Sequence, residues 1–234
     1  MKLSVNVGVL MLIAGGVLLA TTLVRAQDHP DHPKKGEHPK GEHPKKSAET
    51  GAQQMSQEEQ QKMMEIWAAV AEPGEPHKLL TSRVGEWDIS MKTWWAGPDS
   101  PPVESKGHST IESIHGGRFI IERFKGEIDF GTGPQPFEGL GLTGYDNFRK
   151  QFIGVWCDSM GTTLFVQRGS YNPQNPNEIH LYGEMDHPEL GVVGAMTHMH
   201  EKILSNDKSV STMYDLAVGP DYKVMELAYT RAKK

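Results

Sequence analysis

Two histidines one residue apart, His198 and His200 in MTHMHEK, are the side chains of this sequence best spaced for chemistry. On a β-strand, residues two apart point to the same face with Cα atoms roughly 6.5 Å apart, so both imidazoles can address a single metal ion. His180, Tyr182 and Glu184 alternate in the same way on the preceding apolar run, and His180 is a candidate third ligand. Zinc or non-haem iron accepts such nitrogen and oxygen ligation while leaving a position for water or substrate, which is the arrangement of a metal-dependent enzyme. The plainer reading of these residues is a solvated strand whose polar side chains alternate outward. His108 and His115 also stand in strand-like runs. An isolated histidine inside a barrel can bind haem iron axially, although a surface or hydrogen-bonded position is the commoner explanation.

A second group of histidines lies near the N-terminus. In DHPDHPKKGEHPKGEHPKK, residues His29, His32, His38 and His43 each stand between an acid and a proline. Proline after each imidazole prevents helix and sheet, and no apolar residue is present to offset the entropy of ordering. Four imidazoles on such a chain gather zinc, copper or nickel weakly, the cost of ordering holding the affinity down. The plainer reading of the stretch is a soluble spacer between the membrane surface and the domain. The five lysines and five acids between residues 27 and 54 balance, so the stretch is not a polybasic lipid-binding tail.

Four further residues are candidate lining for a ligand cavity: Arg123 and Arg168 to meet a carboxylate, Trp156 and Tyr182 to supply apolar wall. Asp146 and Asp158 sit at two turns expected at one end of the molecule, and turn hydrogen bonding accounts for both. The single cysteine, Cys157, excludes an intrachain disulfide and reads as a buried, inert thiol. No GxSxG, HExxH or phosphate-cradling glycine loop occurs.

The elements that must position these residues are strands. From Gly85 on, apolar and β-branched runs alternate with turn clusters such as Gly116-Gly117, Asp146-Asn147 and Asn206-Asp207. The pattern predicts about ten antiparallel strands between residues 85 and 231, an all-β up-and-down sheet that closes into a barrel because closure removes its edges. Runs such as QFIGVWC are apolar on both parities, which predicts an outer face covered by helices or a partner. One or two short helices precede the strands: Met63, Ile66, Trp67 and Val70 recur at helical spacing as packing residues, and Pro76 opens a second helix carrying Leu79 and Leu80. The expected organisation is a signal peptide or uncleaved anchor over 1–26, a disordered linker over 27–54, a helical segment over 55–82 and the barrel over 83–232.

The first segment carries the compartment. Residues 5–24 are uncharged and apolar after Lys2, and Val24 and Ala26 are the small residues of an export cleavage site before Gln27. The chain is expected to be exported to the periplasm or beyond, and to hold the membrane only if residues 5–24 stay attached. The net charge is −6, and losing Lys2 and Arg25 makes it −8, so a nucleic-acid partner is disfavoured.

HKLLTSRVGEWDI places Gly85 and Trp87 at the start of the first strand, and AYTRAKK places Arg231 at the end of the last. This resembles the lipocalin and fatty-acid-binding superfamily, in which a G-x-W packs at the closed end of the barrel; the resemblance implies that Arg231 covers Trp87 by cation–π stacking. GEWDI, GGRFIIERFKGEI, FEGLGLTGYDNFRKQFIGVWCDSMGT and MELAYTR resemble the exported bacterial family catalogued as domain of unknown function 1579. That resemblance covers roughly residues 76–232 and implies a lipocalin-like barrel with no established activity. The expected function is an exported binding protein for a small apolar or amphipathic ligand. A metal-dependent enzyme using His198 and His200 and an envelope interaction protein are the alternatives.

Overall fold

The computed structural model describes residues 55–130, 133–188 and 190–233; the stretches expected to be a signal peptide and a histidine-rich linker lie outside them. Ten antiparallel strands close into a barrel in sequence order, with β1 beside β10. They are β1 (Gly85–Thr93), β2 (Val103–Ile114), β3 (Phe119–Asp129), β4 (Pro134–Asp146), β5 (Gln151–Asp158), β6 (Phe165–Asn172), β7 (Asn175–His187), β8 (Val192–Ser205), β9 (Lys208–Asp215) and β10 (Lys223–Arg231). Two helices precede them, α1 (Gln57–Ala71) and α2 (Glu75–Thr81). No helix among the described residues is long and apolar enough to cross a membrane.

Strand parity decides what the barrel encloses. β1 turns Trp87, Ile89, Met91 and Thr93 inward, all buried, and Glu86, Asp88 and Ser90 outward. The register carries this parity round the sheet, so Ser109, Phe124, Trp156, Leu181, Met199 and Tyr229 also face inward. Consecutive turns of an antiparallel meander fall at opposite ends. Asp146, before β5, and Asp158, after it, therefore lie at opposite ends of the barrel and not at one end as expected. Each serves its own turn: Asp146 Oδ1 accepts from the amides of Phe148 and Arg149, and Asp158 Oδ1 from that of Met160.

α2 stoppers one end. Pro76 sits in its first turn, the Gly74 amide donates to His77 Nδ1 at 3.0 Å, and His77 and Leu80 are buried. His77 meets the Tyr145 ring edge-on at 5.8 Å. Beside it the Arg231 guanidinium lies 4.3 Å from the Trp87 ring centroid and donates to the carbonyls of Ser82, Val84 and Asn206. Trp87 Nε1 donates to Arg83 O at 2.8 Å, tying β1 to the turn that follows α2.

α1 is a correction. Its stripe was expected to pack, yet Met63, Ile66 and Trp67 are exposed, and only Val70 is half-buried. The helix is held by its C-terminal carbonyls, where Asn147 Nδ2 donates to Val70 O and Glu72 O and Arg118 Nε to Ala71 O. Nor do the helices cover the doubly apolar strands. The outward side chains Phe119, Leu142, Ile153 and Val155 line a shallow surface depression.

Candidate functional site

The interior divides into an apolar wall and a charged floor. Across β2 to β7 many inward positions are glycines, and aromatic rings lie along the wall in the room those glycines leave. Trp156 rests on Gly139, where an added methyl would overlap its ring, and its Nε1 donates to Asp158 Oδ2 at 3.0 Å. Phe124 rests on Gly107 in the same way, and at Gly126 a methyl would meet the Lys106 carbonyl before the Phe124 ring. At Gly154 a methyl would meet only Thr143 Oγ1, 3.7 Å away, so this inward position is uncrowded. Phe137, Trp156, Met185, Met199, Met225 and Leu227 face inward yet are only half-buried, so solvent enters the lumen from the end away from α2.

The floor lies above α2. Arg83 Nη1 and Glu201 Oε1 pair at 2.5 Å with little exposure, and Glu122 Oε1 accepts from Ser109 Oγ at 2.6 Å and from the Tyr229 hydroxyl at 3.3 Å. Burial pushes the Glu201 carboxyl up against the opposing pull of Arg83. Burial also disfavours the Arg83 charge, but Glu201 and Glu122 outweigh it and keep the guanidinium protonated. Burial and then Glu122 push Tyr229 well above the ordinary phenol range, so its hydroxyl stays a donor. One guanidinium thus stands among two carboxylates. Glu122 faces inward and is only half-buried, which leaves it within reach of the lumen.

None of these floor residues was singled out from the sequence. A signal existed: Glu122 lies between Ile120 and Phe124, and Glu201 between Met199 and Ile203, charges at the parity reserved for apolar side chains. Of the expected lining residues, Trp156 is in the wall. Arg123 and Arg168 are corrections, because the register turns both outward and leaves them exposed, and Tyr182 likewise faces out. Cys157 is on the outer parity and half-buried, rather than fully buried.

Tyr182 belongs to a ladder on the outside of β7 to β9. The register sets Tyr182 opposite His198 and Tyr214, then His180 opposite His200, then Glu178 opposite Lys202. The rings stack: Tyr182 on His198 at 4.7 Å, His198 on Tyr214 at 5.6 Å and His180 on His200 at 4.3 Å. His180 Nδ1 and His198 Nε2 are 3.0 Å apart. Burial beneath these rings, then the neighbouring His180, lowers the pKa values of His198 and His200. Glu178, a residue not picked out from the sequence, brings a carboxylate to His180 and His200.

His108 and His115 do not reach the lumen, which corrects the haem reading. His108 lies outside, exposed, with Nε2 2.7 Å from Glu86 Oε2 and Nδ1 3.2 Å from Asp88 Oδ1. Those carboxylates, Glu86 foremost, raise its pKa. His115 is an exposed turn residue with φ of 51°. A separate groove of about 620 Å³ opens on the surface between α1 and the turns at the α2 end, lined by Trp67, Val70, Phe119, Tyr145 and Phe148 among others.

Residues 72–231 match the family described as "Protein of unknown function (DUF1579)". The chain belongs to this family. No curated protein matches it. Among solved structures it is similar to Rv2717c from M. tuberculosis, at 14% identity and a TM-score of 0.48, covering 69% of this chain and 100% of that one. It is also similar to the S-type phycobiliprotein lyase CPES from Guillardia theta, at 11% identity and a TM-score of 0.43, covering 67% of this chain and 92% of that one.

Proposed function

We propose that this family member is an exported lipocalin-like binding protein whose lumen holds one small apolar or amphipathic molecule. The observation that carries the reading is an interior whose wall residues Trp156, Phe137, Met199 and Leu227 remain half-buried, with an uncrowded inward glycine at Gly154, and which ends on a built polar floor. Pockets for small molecules combine just such an apolar wall with a few convergent polar groups. The floor also sets the ligand's polar end. Arg83 is already neutralised by Glu201, and Glu122 adds a further carboxylate, so a carboxylate ligand would meet repulsion. A neutral or cationic group that donates hydrogen bonds to Glu122 fits.

Protein purified from its native host and extracted with organic solvent should release one dominant small molecule, detected by mass spectrometry in equal amount to the protein. Recovery of fatty acids alone would overturn the assignment of the polar end. Export rests on the apolar residues 5–24 and on Val24 and Ala26. N-terminal sequencing of envelope-fraction protein should read from Gln27, and protein confined to the cytoplasm with Met1 intact would refute it.

A further inference from the structure

The outer ladder of β7 and β8 has no place in lumen binding, and its geometry is that of a ligand set. Ligand atoms of Glu178, His180 and His200 all lie within 4.8 Å of one another. A tetrahedral zinc bound at about 2.0–2.1 Å holds its donors about 3.4 Å apart, so side-chain rotation on a rigid sheet suffices to close the site. We propose that these three residues bind one borderline divalent cation, zinc foremost, on the outside of the barrel.

Three observations support a cation rather than a row of solvated polar residues. His200 Nε2 is buried with no hydrogen-bond partner among the described residues, a cost that an ordinary surface histidine does not bear. His180 already has Nδ1 engaged by His198, leaving Nε2 as its remaining donor, and a partner on the second ring nitrogen is what orients metal-ligating histidines. Glu178 is held in the same manner: Asn172 Nδ2 donates to its Oε2 at 3.2 Å, and among the described residues its Oε1 pairs with Lys202 Nζ at 4.0 Å. The cation replaces that loosely placed ammonium at Oε1. Tyr182 and Tyr214 close off His198 from either side, so it is a positioning residue and not a ligand. Two imidazoles and one carboxylate leave a coordination position facing solvent, where water or a donor from another molecule completes the shell.

The test uses the full chain with His29, His32, His38 and His43 replaced by alanine, so that the N-terminal histidines cannot supply the signal. Titration calorimetry with zinc, and cobalt absorption spectra after substitution, should show one site per chain. His180→Ala and His200→Ala should abolish it. His198→Phe should weaken it about 10- to 100-fold while leaving the cobalt spectrum in the same class, as expected for an orienting residue. Lys202→Gln should tighten it by removing the competing charge. All four side chains point outward, so thermal unfolding should confirm that the variants fold. No stoichiometric uptake by the tail-substituted chain, or uptake unchanged in folded His180→Ala and His200→Ala, would overturn the proposal.

Discussion

Glycine at position 85 shows how much can rest on one absent side chain. Its φ is +137°, and a methyl there would overlap the Arg231 guanidinium that covers Trp87. Gly85, Trp87 and Arg231 were legible as a set because the spacing G-x-W resembles a known superfamily. Trp87 is 2% exposed, so Trp87→Ala should cost about 3–5 kcal/mol in denaturant unfolding. Arg231→Ala should cost less, about 1–3 kcal/mol, because its carbonyl partners can turn partly to water. Equal losses would contradict this ranking. Of the charged floor only Glu122 and Glu201, carboxylates at an apolar parity, left a trace in the sequence; their meeting with Arg83 was not legible, because the members come from the loop before β1 and from β2, β3, β8 and β10, and only the register brings them together. Glu201→Gln should destabilise by about 3–5 kcal/mol, since it strands a buried guanidinium, whereas the double change Arg83→Met with Glu201→Leu should recover most of that loss. A double variant no better than the single one would show that the pair serves more than its own neutralisation.

At the scale of elements, α2 and α1 separate what periodicity can and cannot reveal. Pro76 at a first turn, followed by Leu79 and Leu80, marked α2 correctly as a short helix, and burial of His77 and Leu80 makes it a stopper. Periodicity said nothing of which surface α1 would meet. Its exposed stripe follows from attachment by terminal carbonyls, which no hydrophobic pattern records. His77 also makes α2 responsive to pH. Its Nδ1 accepts from the Gly74 amide, so a protonated ring loses that bond, and burial holds its pKa below the usual value. The unfolded chain therefore takes up a proton near pH 6.5 that the native chain resists. This stabilisation is full above that pH and is lost as pH falls through the lowered native value. Urea midpoints at about pH 7.5 and 5.5 should fall further in the parent chain than in His77→Gln; an identical fall in both would refute the role of His77.

For the whole molecule, the number of strands, their order and closure were readable because turn clusters punctuate runs of even length and each strand pairs with the next. The direction of each side chain was not fully readable. Parity is relative, and an error of one residue turns Arg123 or Arg168 from lining to surface. The packing of the lumen is likewise a property of the closed barrel, since the rings of Phe124 and Trp156 settle on inward glycines of neighbouring strands only when the sheet has closed. That lumen is the central claim, and Gly154 offers the most direct test. The first carbon of a side chain there meets only Thr143 Oγ1, 3.7 Å away, and the rest of it runs inward, so Gly154→Leu should fold while obstructing the lumen. Native mass spectrometry of both proteins, each offered the solvent extract of host cells, should show a one-to-one small-molecule adduct on the parent and none on a folded Gly154→Leu. An adduct retained undiminished by Gly154→Leu would place the ligand outside the barrel, and no adduct on either protein would contradict the binding function itself.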